Sequence, residues 1–261
     1  MPSRLRPLAY RAFARFVGAN LDEAELALAE YESLGDFFAR RLREGSRVID
    51  RAREAIVSPC DGVIAARGTA DDGTLVQAKG RSYSLAELVA SEALAMRLIG
   101  GEYVTIYLSP RDYHRVHTPV DGRIVSYDYL PGLLWPVNPR VAARRDGLLA
   151  KNERVVIELN AGDLGHVAVV MVGAAGVGNI ALAHGPSSAS FRANGERHRI
   201  ELDEGVERGD ELGAFRLGST VVLVFEPGAV QLDELVEGQA VRFGERIGRR
   251  TQTNGHGGAR A

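Results

Sequence analysis

Cysteine is nearly absent from this chain of 261 residues; the only one is Cys60. A single thiol excludes an internal disulfide framework and any multi-cysteine zinc site, and it is compatible with a reducing cytoplasm. An excess of one charge is lacking too, with 32 Lys and Arg against 34 Asp and Glu, a net charge of -2. A general nucleic-acid binder normally displays a strong basic surplus, so no nucleic-acid partner is expected. No uninterrupted apolar run approaches the roughly 18 residues that span a bilayer, so any membrane contact is expected to be peripheral. Around Ser219 there is no G-x-S-x-G elbow of the kind that presents an ordinary hydrolase nucleophile.

What is present is an apolar share of 45% and a charged share of 25%, the composition of a globular protein with a sizeable core. The first seventeen residues hold Arg4, Arg6, Arg11 and Arg15 and no acid, while Leu5, Leu8, Ala12, Phe13 and Phe16 recur at helical spacing. Such a helix suits an anionic lipid surface, and it suits equally a helix packed on the core with its arginines in water. Asp22 and Glu25 form a capping box that predicts a second helix over 23–31. Ser33 and Asp36 predict a third, carrying Phe37, Phe38 and Leu42, and Ser84 with Glu87 opens another through Leu98, stopped by Gly100 and Gly101.

Elsewhere the pattern is strand. Val104, Ile106 and Leu108 alternate with polar neighbours, as do Val155, Ile157 and Leu159, and Val221, Leu223 and Phe225 follow the same spacing. The string Pro59, Cys60, Asp61, Gly62, Val63, Ile64 returns as Pro119, Val120, Asp121, Gly122, Arg123, Ile124. In each, Asp bonds its own backbone, Gly supplies an unusual turn conformation, and a strand follows, which points to an internal duplication. The expected fold is α+β, a predominantly β catalytic body of barrel or sandwich type with N-terminal helices. Residues 1–45 read as a helical, membrane-associating segment, 46–250 as the β-rich catalytic domain, and 251–261 as a disordered tail.

Three blocks carry chemistry. Ser219 lies in Leu217, Gly218, Ser219, Thr220, inside a strand-like run closed by Glu226, Pro227 and Gly228. A serine placed there is either an ordinary strand residue or a nucleophile toward its own preceding peptide bond, whose glycine carbonyl has no Cβ to shield it. Asp61 lies in the first repeat, and His114 and His117 lie in Tyr113, His114, Arg115, Val116, His117. Together these supply an acid, a base and a nucleophile. On a regular strand the two histidines would face opposite sides, so a loop or bulge is needed if both line one site.

These blocks resemble phosphatidylserine decarboxylase, a pyruvoyl-dependent family that makes its own prosthetic group. The likeness extends through 77–85, 107–122, 131–139, 151–159, 172–180 and 215–228. The resemblance implies that Ser219 attacks the Gly218 carbonyl, that the chain is cut between them, and that Ser219 becomes a pyruvoyl group. It implies His117 as the base, with Asp61 on the far ring nitrogen, and His114 as proton donor or carboxylate-orienting group. The pyruvoyl carbonyl would condense with the serine amine of phosphatidylserine, and the product would be phosphatidylethanolamine. It further implies a heterodimer of the two cleavage chains, 1–218 and 219–261, open to further oligomerisation, on the cytoplasmic face of the cell membrane. No metal is expected. Cys60 stands where the family more usually has alanine.

The competing readings are a serine hydrolase using Asp61, His117 and Ser219 on external esters or amides, and a carrier-like β scaffold built on the repeated turns. His114 and His117 could also be a fragment of a metal site, and His166, His184 and His198 have no motif around them. Trp135 with Leu133, Leu134 and Pro136 reads as an acyl-chain wall, a membrane-dipping loop or core. Arg111, Asp112 and Arg115 read as ion pairs of the loop or as contacts to lipid phosphate.

Overall fold

Pro7 presets the helical φ of the first turn of helix α1 (Arg6–Val17), and Gly18 ends it at φ 79°, its N–H bonded to the Ala14 carbonyl at 2.8 Å. This is the start of a computed structural model that describes residues 5–78, 81–174, 180–185, 188–192, 195–216 and 219–251. The first helix packs one face on the body and leaves the other, apolar and basic, in the open. Tyr10 and Ala14 are buried, while Leu5, Leu8 and Phe16 are 53%, 67% and 89% exposed beside the exposed Arg11 and Arg15. The tail beyond Thr251, and Arg4, lie outside the described residues.

The helix expected over 23–31 does not form. Ala24 bridges Leu42, the Glu25 N–H bonds to the Arg41 carbonyl at 3.0 Å, and the Arg43 N–H bonds to Glu23 at 2.9 Å. Backbone groups that a helix would need are spent on this extended pairing, and Arg47 fixes the Glu23 side chain as well. The next helix, α2 (Leu34–Phe38), starts as expected, with the Ser33 hydroxyl accepting from the Asp36 N–H at 3.1 Å, but it ends before Leu42. The helix expected through Leu98 is two, α3 (Leu85–Val89) and α4 (Glu92–Leu98). Ala90 takes a left-handed φ of 49° between them, and Ser91 caps the second.

In chain order the strands begin with β1 (Ala55–Val57), β2 (Gly62–Thr69), β3 (Thr74–Ala78), β4 (Arg81–Ser84), β5 (Glu102–Leu108) and β6 (Arg115–His117). Then come β7 (Gly122–Leu130), β8 (Arg154–Asn160), β9 (His166–Val172), β10 (Ile180–Leu182) and β11 (His198–Val206). The last are β12 (Glu211–Phe215), β13 (Ser219–Phe225), β14 (Val230–Leu232), β15 (Ala240–Val241) and β16 (Arg246–Arg250). Eight of them form one antiparallel sheet in the order β11-β7-β8-β9-β13-β5-β2-β15. A second sheet, β10-β12-β6, lies against it, so close that a Cβ at Gly213 would sit 3.4 Å from the Met171 side chain. A third, β1-β16-β14, and a two-stranded pair, β3-β4, complete an α+β fold with a β-rich body. All three strand runs expected from alternation are present, and β5, β9 and β13 are buried throughout most of their length.

The duplication is visible bond by bond. The Val57 N–H donates to the Pro119 carbonyl at 3.1 Å, and in exchange the His117 N–H donates to the Pro59 carbonyl at 2.8 Å. Ser58 and Thr118 each turn a hydroxyl onto a carbonyl two residues on, Cys60 and Val120. The Asp61 carboxylate accepts the Phe243 N–H at 2.9 Å, and Asp121 accepts the Arg208 N–H at 2.8 Å. Gly244 bonds back to Ser58, and Gly209 to Thr118. Two turns, each followed by a distant Val-x-x-Gly-acid segment (241–245 and 206–210), thus interlock about an approximate twofold axis.

Both repeat glycines serve close approach rather than freedom. An ideal Cβ on Gly62 would lie 2.5 Å from the Tyr107 carbonyl oxygen, and one on Gly122 would lie 2.5 Å from that of Asn160. The colliding atoms are backbone of the neighbouring strand and cannot rotate away. Gly122→Ala is therefore expected to lower unfolding stability by about 1–3 kcal/mol, read from a urea melt; an unchanged midpoint would refute the close-approach account.

Candidate active site

The N-terminal aromatic layer fixes His114. Tyr10 stacks on Phe37 at 5.8 Å, and Phe38 meets the His114 ring at 4.1 Å between centroids. The loop leading to it is pinned by Asp112, whose carboxylate accepts from both the N–H and the hydroxyl of Ser109 at 2.7 Å. His114 precedes β6, so the irregularity needed to aim the two histidines differently is this loop. Its Nδ1 lies 2.8 Å from the Asp112 carbonyl, which can only accept. Nδ1 therefore carries the proton, and Nε2 is left as a lone pair, buried and without a partner among the described residues. Burial holds the ring neutral, pushing its pKa down to about 3.

His117 ends β6 and is also almost fully buried. Its Nδ1 lies 2.8 Å from the Gly209 carbonyl, and its Nε2 lies 3.0 Å from the Tyr113 hydroxyl. The same logic places the proton on Nδ1, so Nε2 accepts from Tyr113. Phe243 stacks on this ring at 3.7 Å between centroids with 14° between planes. Burial is the main cause that lowers the His117 pKa to about 4, against the opposing bond to Gly209. Burial likewise raises the Tyr113 phenol, which stays a donor.

Asp61 is not on the far ring nitrogen. Gly209 holds that position, and the Asp61 carboxylate is engaged by Arg47, whose Nε lies 3.0 Å away, and by the Phe243 N–H. Arg47 in turn bonds Glu23 at 2.9 Å. Asp61 and His117 are nevertheless neighbours through one residue, since Phe243 offers its amide to the carboxylate and its ring to the imidazole.

Ser219 heads β13, where its Cα opposes that of Leu108 at the end of β5. The residue is wholly buried, and its hydroxyl has no hydrogen-bond partner among the described residues. A buried hydroxyl left unpaired forfeits about 1–3 kcal/mol. Gly218, the expected cleavage partner, lies outside the described residues, but the connection is tethered just upstream, where the Phe215 N–H bonds to the His114 carbonyl at 2.9 Å. The structure thus ties Ser219's connection to His114, and Asp61 to the surroundings of His117. It makes no bond from His117 to Asp61 or to Ser219.

Sequence reasoning missed Arg47, Gly209 and Phe243. The parallel strings at 206–210 and 241–245 were the available signal, because each answers one of the two repeated turns. Other candidates resolve simply. Arg115 grips Glu211 with Nη1 at 2.6 and 2.7 Å, an ion pair of the loop. The Trp135 ring carries the Arg145 guanidinium at 3.5 Å, and His166 pairs with Glu158 at 2.8 Å.

The family profile described as phosphatidylserine decarboxylase matches residues 34–249. A phosphatidylserine decarboxylase proenzyme of Anaeromyxobacter sp. (strain K) is 46% identical over 251 residues, covering 95% of this chain and 88% of that one. The proenzymes of Myxococcus xanthus and Brevibacillus brevis are 41% and 39% identical, over 95% and 92% of this chain and 89% and 87% of theirs. The matched span takes in Arg47, Asp61, Tyr113, His114, His117, Gly209, Ser219 and Phe243, while Tyr10 and Glu23 precede it. This chain belongs to the phosphatidylserine decarboxylase family.

Proposed function

We propose that this protein converts phosphatidylserine to phosphatidylethanolamine with a pyruvoyl group that it makes from its own Ser219. The observation that carries the reading is the Ser219 hydroxyl, fully buried and unpartnered at the head of β13. The relatives' designation as proenzymes supports a maturation step. A hydrolase acting on external esters needs its nucleophile open to solvent, and the burial of Ser219 speaks against that alternative.

In the proposed maturation, Ser219 Oγ adds to the Gly218 carbonyl carbon while a base takes its proton. The Gly218–Ser219 C–N bond breaks, the nitrogen is protonated, and an ester remains. Removal of the Ser219 Cα proton expels the Gly218 carboxylate, and one water converts the resulting dehydroalanine to a pyruvoyl group and ammonia. His117 is the proposed base: Nε2 already bears the lone pair, because the Gly209 carbonyl holds the proton on Nδ1. Tyr113 must release Nε2 before it can act. Asp61 serves as a positioning residue that holds Phe243 against the ring. The products stay together because β13 is bonded on both sides, by β5 and β9.

A pyruvoyl carbonyl supplies the electron sink that protein side chains lack when CO₂ leaves an amino acid. His114, whose open Nε2 must first take up a proton, is the proposed group that then orients the substrate carboxylate and returns that proton to the α-carbon. For membrane contact at the cytoplasmic face, the outer stripe of α1 is the proposed docking surface. Leu5, Leu8 and Phe16 would enter the lipid, with Arg11 and Arg15 at the headgroups. None of the described helices is long and apolar enough to cross a membrane.

Ser219→Ala, His117→Ala and Asp61→Asn are expected to leave one uncut chain, whereas His114→Ala is cut but turns over at least about a hundredfold slower. Mass analysis of the purified proteins, with a carbonyl-reactive probe, decides; an intact wild-type chain without a ketone ends the proposal. The depressed His117 pKa sets the pH response, since the base is active when unprotonated. Self-cleavage of freshly refolded precursor is expected to stay flat down to about pH 5 and to fall about tenfold per unit below about pH 4. A midpoint near 6.5 would assign the base elsewhere. Leu8→Glu with Phe16→Glu is expected to abolish sedimentation with anionic vesicles while sparing self-cleavage.

A further inference from the structure

Arg40, two residues beyond α2, is only 4% exposed and pairs with no carboxylate among the described residues. Its one hydrogen bond there runs from Nη2 to the Arg111 carbonyl at 3.2 Å, and its buried Nε has none. The Phe37 ring beneath the guanidinium, 5.3 Å away, is a weak substitute for an anion. Asp61, Glu23 and Asp112 act on it only from beyond ion-pair distance, so its unused N–H donors are left for an anion from outside the chain.

The surroundings agree. Arg40 lines a pocket of about 260 Å³ together with Arg47, Arg111 and Arg242. Its carboxylates are already committed: Asp61 and Glu23 hold Arg47, and Asp112 caps Ser109. Arg111 reaches Asp112 only at 3.6 Å and is 57% exposed, and Arg242 is exposed as well. Guanidinium forks match phosphate oxygens, and several cations around one pocket favour a tetrahedral anion over a lone carboxylate. Gly18 and Asn20, just past the end of α1, line the same pocket. The site therefore lies beside the helix whose outer stripe suits a lipid surface.

We propose that this pocket binds the phosphate of an anionic lipid headgroup, with Arg40 as its buried anchor and Arg111 and Arg242 at its rim. That the phosphate comes from a lipid rests on the function proposed above; that the pocket takes phosphate does not.

The test uses the full chain. Inorganic phosphate is expected to raise the thermal midpoint of the wild type above that in chloride of equal ionic strength. It should do so neither for Arg40→Met nor for the double variant Arg111→Ala/Arg242→Ala, whose exposed side chains spare the fold. The double variant should also bind phosphatidylglycerol vesicles about tenfold more weakly, while the equal charge loss of Arg246→Ala/Arg249→Ala leaves both readouts unchanged. Phosphate acting no better than chloride, or protecting all variants alike, overturns the site. Phosphate protection with vesicle binding unmoved by the double variant overturns the lipid assignment in favour of free phosphate. Neither readout requires decarboxylation, so failure of the pocket and failure of the reaction are told apart.

Discussion

The Asp61 carboxylate, held on one side by Arg47 and on the other by the Phe243 amide, is the contact on which the site depends. It joins three distant stretches of chain: the N-terminal segment, the first repeated turn and the C-terminal segment. The side chains are nearly dry, at 8% and 10% exposure, where removing one partner of an ion pair costs about 3–5 kcal/mol. Through Phe243 the same clamp sets the wall against which His117 lies. An acid that never touches the histidine thus governs where the histidine is.

The twofold pair of turns explains why the clamp exists and where the two copies differ. Asp121 bonds the Arg208 amide as Asp61 bonds that of Phe243, and the Arg208 side chain then reaches the carbonyls of Ala52 and Ala55. In that copy the guanidinium is tied to two backbone carbonyls and to Asp121 itself. In the other copy, Phe243 presents a ring in place of the arginine, and His117 stands where its counterpart is Val57. Two side-chain exchanges in an otherwise repeated hydrogen-bond scheme put an imidazole against an aromatic ring in one copy only.

Dryness is the other physical condition of the site. His114 and His117 are both kept neutral by burial, each with its proton pinned on Nδ1 by a carbonyl, so each offers Nε2 to the interior. Ser219 adds a hydroxyl that receives no bond from its described surroundings. The unpaired Ser219 hydroxyl and His114 Nε2 oppose folding, as do other buried groups of this interior such as the Tyr127 and Thr220 hydroxyls.

Much of the fold was legible in the chain. Alternation placed β5, β8 and β13, because successive side chains of a strand point to opposite faces of its sheet. The Ser33 cap and the repeated Pro-x-Asp-Gly turns were equally plain, because their bonds are local. The 23–31 segment was misread because its pairing with 41–43 is non-local and outweighs a capping signal. The residue types of the site, Asp61, His114, His117 and Ser219, could be named from spacing and resemblance. Which atom faces which could not: that Gly209 rather than Asp61 orients His117, that Phe243 lies between them, and that Arg40 is buried with no ion pair among the described residues are consequences of contacts between residues far apart in sequence. Sequence by itself determined the local turns, the strand periodicity and the chemical groups on offer. Tertiary structure alone decided their partners and protonation, because both follow from burial and from carbonyls delivered by other strands.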